Sequence, residues 1–561
     1  MTEKETTANG NRLSVIPLGG VEEVGGLNMT VLEYGDDLII VDAGLMFPEE
    51  DMLGVDFVIP DFSYVVENKH KLRGIIITHG HEDHTGALPF LLKVVQAPIY
   101  ASPLTLGLIR DKLSEHGLEK SEMHAVRPRD VVELGAFQVE FVRVTHSIVD
   151  GVALGIMTPE GRVVHTGDFK IDPTPVDGEL LDFRKFAEYG EKGTLLLLSD
   201  STNAEKGGFT FSEKEVRRAF EDIFAKAKGR IIISTFSSNI HRIQQAIDVA
   251  VMFGRKVILC GKSIVSNAQI ALDLGYLRIP RETWLKIEDL KKLRDEEAVI
   301  ITTGSQGEPM SVLTRIATDE HKHIHIKEGD TVILSAKMIP GNERSIGRII
   351  NHLFRRGANV IYEKVSEIHV SGHASKEELK LMLNLVRPKY FVPVHGEFRH
   401  LAIHAKLAVK QGIDRENVFI LGNGDVLEFS GAEGVRRAGK VDSGRVFIDG
   451  KGIGDVEEMV LRDRMKLAHD GVVIVLLAIE KLSGNIVSGP DVVSRGFIFE
   501  DASPEFINDA REFLSNMISE LDKEIKSDSS LLQAKIRSSL KKYLRNQMDR
   551  RPLIMPIITE V

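Results

Sequence analysis

The sequence predicts an α/β protein of several domains, for three reasons. The chain has 561 residues, whereas one domain usually contains about 100–200. The part before about residue 200 contains short apolar runs that end in Gly or Asp, a pattern typical of strands followed by turns. Beyond it, apolar runs alternate regularly with helical patterns, which favours a parallel sheet.

Composition excludes several classes of protein. Hydrophobic residues make up 43% of the chain and charged residues 27%, a globular balance that excludes a wholly disordered or fibrous protein. The net charge of −11 argues against a protein that coats nucleic acid by bulk charge. The single cysteine, Cys260, excludes an intramolecular disulfide and a cysteine-based zinc cluster. Any metal must therefore be held by the carboxylates and the 19 histidines.

The first part of the chain is predicted to be rich in strands. A helix is expected over 104–116, between strands at 14–20, 37–44, 73–78, 137–145, 162–165 and 194–198. Beyond residue 205, Phe211 and Ser212 are predicted to open a helix as staple and N-cap, with Glu215 completing a capping box.

A βαβ unit is then predicted from a strand at 230–235, a helix at 239–253 and a strand at 256–260. Similar units are expected around 298–316 and 331–361. A helix at 376–385 and a strand at 390–394, which ends at His395, follow them.

The C-terminal part follows a Gly-rich connector around 450–455. A small α+β unit is predicted there, with a strand at 472–479 and a helix at 504–521 capped by Ser503. A last helix at 531–551 has seven basic residues and one acidic residue. Such a run is either a solvated helix face or a contact for RNA or a protein partner.

No targeting or membrane-spanning segment is predicted. The N-terminus is polar and no apolar stretch follows it. The longest strongly apolar run, 472–479, is far shorter than the roughly 20 residues of a membrane helix. We therefore expect a cytoplasmic protein that does not associate with membranes.

The strongest chemical signal is the segment Thr78–His84, which follows an apolar strand. It contains His79, His81, Asp83 and His84, and imidazole and carboxylate groups suit zinc. Four ligands in one loop cannot easily close on one ion that keeps an open position, so two ions are the alternative. Further candidate ligands follow other predicted strands: His146, Asp168 and His395.

These residues carry a resemblance to a known family. The pattern His79-x-His81-x-Asp83-His84, followed by His146, Asp168 and His395, resembles the metallo-β-lactamase superfamily. Asp200 at a strand end, His373 within 371–375 and His395 within 393–397 resemble the three additional motifs of the β-CASP nucleases. The segments 236–242 and 303–309 and the C-terminal unit resemble the bacterial ribonuclease J family, and the resemblance runs from about Leu13 to Val561.

The resemblance implies an αββα metallo-β-lactamase sandwich with an inserted parallel-sheet β-CASP domain and a small α+β C-terminal domain. The expected boundaries are a polar tail at 1–10, the first part of the metallo-β-lactamase domain at 11–205, the β-CASP domain at 206–365, the second part of the metallo-β-lactamase domain at 366–437, a linker at 438–460 and the C-terminal domain at 461–561.

It also implies two Zn²⁺ ions per subunit, with Mn²⁺ or Mg²⁺ as alternatives. One ion would be held by His79, His81, His146 and Asp168, and the other by Asp83, His84, Asp168 and His395, with Asp168 as the bridge. Asp42, at the end of an early strand, would orient a ligand histidine.

The catalytic residues implied are His373, Asp200 and Asp83. A hydroxide activated by the two metals would attack the phosphorus. His373 would contact the scissile phosphate and protonate the leaving oxygen, while Asp200 would orient His373. A pocket for a 5′-monophosphate would be built from the residues Ser238, Asn239, Ile240, His369, Val370, Ser371, Gly372 and His373.

The function implied is a ribonuclease with 5′→3′ exonuclease and endonuclease activity on single-stranded RNA. It would prefer 5′-monophosphorylated ends and act in mRNA decay and rRNA maturation. The C-terminal unit would form a homodimer or homotetramer, and RNA-decay or ribosome-associated proteins are candidate partners. The alternatives are a DNA-processing β-CASP nuclease, a small-molecule metallo-hydrolase such as a lactonase or thioesterase, and an RNA-binding scaffold without catalytic activity.

Overall fold

The structure is a computed structural model. It describes residues 11–49, 51–306, 308, 310–336, 342–362, 368, 370–450, 452–454, 458–480, 483, 485–497, 504–548 and 550–561. The predicted polar tail, the proposed ligand-binding residue His369 and the predicted cap Ser503 lie outside these residues. The chain forms two compact units. The first runs to Phe47 and from Val58 to Val446, and the second joins Pro48–Phe57 to Phe447–Val561.

Strands dominate the chain before residue 205, as predicted. The strands there are β1 Leu13–Gly19, β2 Met29–Tyr34, β3 Asp37–Val41, β4 Phe57–Pro60, β5 Leu72–Ile76, β6 Ile99–Ala101, β7 Met123–Ala125, β8 Val131–Leu134, β9 Phe137–Arg143, β10 Val152–Thr158, β11 Gly161–His165 and β12 Thr194–Asp200. The helices are α1 Ser63–Glu67, α2 Glu82–Thr85, α3 Leu88–Leu91, α4 Pro103–Glu115 and α5 Phe183–Lys192.

Strands and helices alternate in the middle of the chain. The elements are α6 Lys214–Lys226, β13 Ile231–Ser234, α7 Ile240–Met252, β14 Lys256–Cys260, α8 Lys262–Asp273, β15 Trp284–Leu285, β16 Ala298–Thr302, α9 Val312–Thr318, β17 Thr331–Leu334, α10 Glu343–Arg355 and β18 Asn359–Ile361. The first unit then continues with α11 Lys376–Val386, β19 Pro388–Val394, α12 Phe398–Lys410, β20 Asp425–Ser430 and β21 Gly434–Lys440.

Two sheets pack face to face at the centre of the first unit. One has eight strands in the order β21-β20-β1-β2-β3-β5-β6-β7, and the other has six in the order β19-β12-β11-β10-β9-β8. Their facing side chains form one buried cluster that includes Val15, Ile39, Phe141, Leu154 and Leu198. Inward-facing apolar residues alternate along these strands, which is the pattern of a sandwich core.

Helices cover the outer faces of this sandwich. Phe186 of α5, Met382 of α11 and Ala408 of α12 are buried against Val164 and Phe391 on the outer face of the six-stranded sheet. In the other sheet, β3 is buried on both faces, since Leu38 to Val41 are at most 1% exposed. The αββα sandwich predicted for this part of the chain is confirmed.

A third sheet belongs to the segment inserted between β12 and β19. Its order is β15-β14-β16-β13-β17-β18, and every pairing in it is parallel, as the alternating pattern predicted. Helices α6, α7 and α8 bury apolar residues on one face, and α9 and α10 on the other. Leu104 and Ile148, from the first part of the chain, pack in the first of these clusters, so apolar contacts join the inserted domain to the sandwich.

The predicted capping box at the start of α6 is wrong. The N-cap residue is Glu213, it makes no capping hydrogen bond through its side chain, and α6 begins at Lys214. The Ser212 hydroxyl contacts Thr174 Oγ1 at 2.8 Å and accepts from Lys214 N at 3.2 Å, not from Glu215 N as a capping box requires. The predicted staple, Phe211, is 65% exposed. Buried charges hold Glu213 here, since its carboxylate lies 2.8 Å from the guanidinium of Arg242. Tertiary contacts therefore decide where this helix begins.

The second unit contains the C-terminal elements. They are β22 Arg445–Asp449, β23 Gly452–Ile453, α13 Glu458–Asp470, β24 Val472–Ile479, β25 Ile486–Arg495, α14 Pro504–Ser519, α15 Lys523–Ser527, α16 Ser529–Met548 and β26 Leu553–Glu560. The last sheet has the order β25-β24-β26. One face of it packs on α14 and α16 around Val475, Leu514 and Leu540. The predicted small α+β domain is confirmed.

Candidate active site

The segment after β5 brings its histidines to one point with residues from two other strand ends. His79 Nε2 lies 3.0 Å from His81 Nδ1, and His146 Nε2 lies 3.2 Å from the same His81 atom. Asp168 Oδ2 lies 3.6 Å from His79 Nε2 and 3.7 Å from His146 Nε2. Four donor atoms therefore surround one position, all within 4.8 Å of one another.

A second group of four donors shares Asp168 with the first. His84 Nε2 lies 3.3 Å from Asp168 Oδ2 and 3.6 Å from Asp83 Oδ2. His395 Nε2, from the end of β19, lies 3.3 Å from Asp83 Oδ2 and 3.6 Å from Asp168 Oδ2. The structure thus brings together all seven predicted metal ligands, in two sets that meet at one carboxylate.

Neighbouring groups fix which ring nitrogen of three ligand histidines faces the centre. Asp42 Oδ2 accepts from His84 Nδ1 at 2.7 Å, and the Gly372 carbonyl accepts from His146 Nδ1 at 2.7 Å. Thr202 Oγ1 lies 2.6 Å from His395 Nδ1. Each contact occupies Nδ1 and leaves the lone pair of Nε2 for a cation, which is the usual arrangement around ligand histidines.

Backbone geometry at the site is unusual in two places. Asp42 has a φ of 63° and His395 a φ of 53°, in the left-handed region that non-glycine residues rarely adopt. Both residues follow strands, β3 and β19. Gly372 is needed for a different reason, because a Cβ there would lie 2.6 Å from His146 Cε1. The close contact between His146 and the Gly372 carbonyl therefore requires glycine.

Asp200 and His373 form a pair beside the two donor groups. His373 Nδ1 lies 2.8 Å from Asp200 Oδ2 and 3.9 Å from Asp168 Oδ2. Asp200 is 1% exposed, whereas the side chain of His373 is 21% exposed. Asp200 therefore holds Nδ1 of His373 from inside the protein, while the ring itself reaches the surface of the site.

Burial and neighbouring charges divide the histidines into two electrostatic classes. Burial lowers the pKa of His79 and of His81 below the usual histidine value, and that of His146 to about 3. Burial also acts to lower the pKa of His395, but Asp168 and the other nearby carboxylates raise it to about 9. The first group therefore offers neutral imidazoles to a cation, whereas a cation must displace a proton from His395.

Asp168 is ionised in these surroundings. Its burial acts to raise its pKa, but His395, His84 and His373 hold the pKa well below the usual aspartate value. The shared residue is thus a carboxylate with several cationic or hydrogen-bonding neighbours. A carboxylate of this kind is suited to bridge two cations.

The predicted substrate-binding residues lie in two segments of the first unit. Asn239 caps α7, since its side chain accepts from Arg242 N at 3.0 Å, and Ser238 is half-buried before it. The Ile240 side chain is fully buried and its N–H donates to Ser238 O. Of the other segment, Val370 is buried, and Ser371 and Gly372 hold neighbours by hydrogen bonds. The substrate-binding role of these residues stays a prediction.

Several residues that shape the site were missed by the sequence analysis. Asn203 Nδ2 donates to Ser371 Oγ at 2.7 Å and to His373 O at 2.9 Å, and so holds the His373 segment. Asn28 Nδ2 donates to Asp83 O at 3.0 Å, and Thr78 N donates to Asp42 Oδ1 at 2.8 Å. Polar residues next to Asp200 and His79 were the available signal for Asn203 and Thr78. The sequence around Asn28 gives no comparable signal.

The donor set fits zinc. Both groups consist of imidazole nitrogens and carboxylate oxygens, the ligands that zinc takes in catalytic sites. The Nε2 atoms of His84, His146 and His395 point inward because Asp42, the Gly372 carbonyl and Thr202 hold the Nδ1 atoms of these rings. The residues present are therefore those of a metal-binding site.

Comparison with known families gives matches along most of the chain. The metallo-β-lactamase superfamily model matches residues 23–227, and the ribonuclease J β-CASP domain model matches 228–353. The model of the Zn-dependent metallo-hydrolase RNA specificity domain matches 357–421. The ribonuclease J C-terminal domain model matches 459–561.

Full-length relatives decide the family. The chain is 44% identical to "Ribonuclease J 1" of Streptococcus pyogenes over 98% of both chains. The chain belongs to the ribonuclease J family. It is 43% identical to "Ribonuclease J" of Helicobacter pylori, over 97% of this chain and 79% of the relative. It is also 41% identical to "Ribonuclease J2" of Bacillus subtilis over the whole of both chains.

Membership of the ribonuclease J family makes this chain a metal-dependent ribonuclease, and the predicted family is confirmed.

A solved structure, titled "Crystal Structure of a Protein of Unknown Function from Enterococcus faecalis V583", shares the fold with a TM-score of 0.54. It is 15% identical and covers 74% of this chain and 100% of its own. Among the described residues, none of the helices has the length and apolar character that crossing a membrane requires. The predicted domain boundaries stay a prediction.

Proposed function

We propose that this ribonuclease J hydrolyses RNA with two Zn²⁺ ions held by the two donor groups. His79, His81, His146 and Asp168 would bind one ion, and Asp83, His84, Asp168 and His395 the other. The observation that carries the proposal is the meeting of both groups at Asp168 Oδ2, which lies within 3.7 Å of a nitrogen from each of four ligand histidines. Mn²⁺ or Mg²⁺ are the alternatives to zinc.

The chemistry divides between the ions and the side chains. Bound divalent ions supply the acidity that activates water at neutral pH and the positive charge that offsets a phosphate. The chain supplies orientation, because Asp42 fixes the His84 ring at 2.7 Å and the Gly372 carbonyl fixes His146. Asp83 reaches the open side of the site, with 20% of its side chain exposed, and we assign it a catalytic role as well as a ligand role.

His373 is the proposed general acid. Its Nδ1 is held by Asp200 at 2.8 Å, so its Nε2 is the ring atom left to face the scissile phosphate. A proton on Nε2 would pass to the leaving 3′ oxygen as the phosphodiester bond breaks. Asp200 would act by orienting His373.

We further propose that the segments around Ser238 and Ser371 bind a 5′-monophosphate. The start of α7 supports this, because helix N-termini attract phosphate groups. The two segments are also linked, since the guanidinium of Arg242 in α7 donates to the Ile368 carbonyl at 2.8 Å. A 5′ end held there gives 5′→3′ exonucleolytic steps, while RNA that bypasses it is cut internally.

The wider role proposed is mRNA decay and rRNA maturation in the cytoplasm. Single-stranded RNA is the substrate, and RNA-decay or ribosome-associated proteins are the proposed partners. A homodimer or homotetramer would form through the C-terminal unit. Exposed apolar residues on its sheet support this proposal: Leu476, Met555 and Ile557 are 40–44% exposed.

One assay tests the proposed activity against its alternatives. The enzyme is given 5′-monophosphorylated RNA, the matching 5′-triphosphorylated RNA, DNA of the same sequence and a lactone. We expect fastest cleavage of the monophosphorylated RNA and loss of that cleavage in His81→Ala, with Lys120→Ala, an exposed substitution, as the control. Faster turnover of DNA or the lactone, or full activity of His81→Ala, would contradict the proposal.

A further inference from the structure

Helix α16 has two sharply different faces. Leu532, Ile536, Leu540 and Leu544 are at most 1% exposed and pack in the core of the C-terminal unit. Lys535, Arg537, Lys541, Lys542 and Arg545 are all exposed. At roughly 100° per residue, these five cations share an arc of about 160° opposite the buried leucines. We call these five residues the basic face of α16.

Positive charge is concentrated on this helix. The helix contains no acidic residue among Ser529–Met548, whereas residues 504–528 have seven acidic and three basic residues. Within the part of the chain that the structure describes, no ion pair joins a carboxylate to the basic face of α16. The whole chain has a net charge of −11, so this concentration of cations is a local feature of the helix. Such a local basic surface suits an anionic partner.

The chemistry of the face points to phosphate groups. Its cations extend over about 15 Å of helix, a length that several phosphates of one RNA strand can follow. Tyr543, the aromatic residue of α16, is stacked on Phe513 at 4.4 Å between ring centroids, so it is engaged within the protein. The face therefore offers charge to the RNA backbone without a stacking platform for its bases.

A membrane surface does not fit the helix. Helices that lie on membranes insert a free apolar face between the lipids, but the apolar face of α16 is already buried under its own sheet. An acidic protein would match the charge alone. RNA matches the charge and is also the substrate of the family to which the chain belongs.

We propose that the basic face of α16 is a second RNA-binding surface, separate from the catalytic residues, that holds the phosphate backbone without reading sequence. The inference rests on RNA being the substrate but does not depend on the metal assignment. A long RNA would be retained by this surface in addition to the active site. Binding there is electrostatic and therefore falls steeply as salt is added.

The test measures binding rather than cleavage, so it is independent of the proposed mechanism. Fluorescence anisotropy of the full chain with a phosphorothioate RNA that resists cleavage gives the affinity at several salt concentrations. Each lost contact to single-stranded nucleic acid reduces the slope of log K against log salt by about 0.7. We expect the triple variant Lys535→Gln, Lys541→Gln and Lys542→Gln to reduce this slope by about 2 and to weaken binding at least ~10-fold.

A matched control removes the same charge elsewhere. Lys228, Lys291 and Lys292 are also exposed, and their replacement by Gln should leave the slope unchanged. A second variant of the same face, Arg537→Gln with Arg545→Gln, should reduce the slope by about 1.4, which keeps the test valid if the triple variant folds poorly. Unchanged slopes in both folded variants would overturn the proposal and leave an acidic protein as the partner of this face. An equal loss in the control would overturn it too.

Discussion

At the scale of single residues, the site depends on groups that hold the ligand histidines in place. Asp42 accepts from His84 Nδ1 at 2.7 Å and from Thr78 N at 2.8 Å. It is 1% exposed, so water does not replace these bonds. Such partners of ligand histidines typically contribute a factor of about 10–100 to metal affinity or activity.

We expect Asp42→Asn to weaken zinc binding by about 10–100-fold. Asn tolerates the left-handed backbone of residue 42, so the backbone is retained while the negative charge that orients His84 is lost. Competition with a chelator measures the zinc affinity. Asp36→Asn, at an exposed position in the turn before β3, is the control. Equal affinities in Asp42→Asn and Asp36→Asn would show that Asp42 does not support the ligand.

The metal-binding residues could be predicted because they follow strands that the apolar runs of the sequence indicate. His79 follows β5 and Asp168 follows β11, one strand from each of the two sheets, and the ends of these strands meet at one edge of the sandwich. The orientation of the His146 ring could not be predicted. It depends on the Gly372 carbonyl, which is distant in the sequence, and on the absence of a Cβ at that residue.

At the scale of elements, a buried group of charges connects α6 with α7 and the His373 segment. Glu213 lies 2.8 Å from Arg242 and 3.4 Å from Lys170, and all three are at most 2% exposed in their side chains. Arg242 in turn donates to Ser335 Oγ at 2.5 Å and to the Ile368 carbonyl at 2.8 Å. The start of the inserted domain is thus tied to the segment that carries His373.

Glu213→Gln should destabilise the protein and lower its activity. Removing one partner of a buried ion pair typically costs about 3–5 kcal/mol, because the remaining charges lose their compensation. We expect a lower melting temperature in differential scanning fluorimetry. We also expect a lower kcat, because Arg242 would no longer hold the Ile368 carbonyl in place.

Glu215→Gln is the control on the same helix. Glu215 pairs with Arg218 at 3.2 Å, and the Arg218 side chain is 76% exposed, so its loss should change stability by less than about 1 kcal/mol. If Glu213→Gln melted at the same temperature as Glu215→Gln, the buried charges would not stabilise this junction.

The element predictions were right where the signal in the sequence is local, and wrong where distant residues decide the structure. The parallel sheet of the inserted domain could be predicted, because the spacing of apolar residues along the chain distinguishes its strands from the helices between them. The start of α6 could not, because Glu213 is fixed by Arg242 and Lys170 from elsewhere in the chain. A capping motif involves only four neighbouring residues, and here the buried ion pair of Glu213, rather than that motif, sets the first residue of α6.

At the scale of the whole molecule, the C-terminal unit leaves one sheet face partly uncovered. Ile474 pairs with Met555 and Leu476 with Ile557 across β24 and β26, and these side chains alternate with the buried Val475 and Leu477. Exposed apolar surface of this kind is typical of an association surface. It is the basis for expecting an oligomer.

We expect Met555→Glu with Ile557→Glu to reduce the oligomer to a monomer, because two carboxylates would be buried in an apolar interface. Light scattering coupled to size-exclusion chromatography measures the mass. Leu531→Glu, on an exposed position of α16, should keep the mass of the unmodified protein. A monomeric unmodified protein, or an unchanged mass for the double variant, would exclude this face as the interface.

We expect two cations to bind at the two donor groups, with Asp168 contributing to both sites. Anomalous diffraction from crystals of the zinc-loaded protein, recorded at the zinc edge, tests this expectation. We expect two peaks in the unmodified protein, one beside His79, His81 and His146 and the other beside Asp83, His84 and His395, and loss of the second peak in His395→Ala. A single peak in the unmodified protein, or two peaks that persist in His395→Ala, would show that the two donor groups do not each bind a zinc ion.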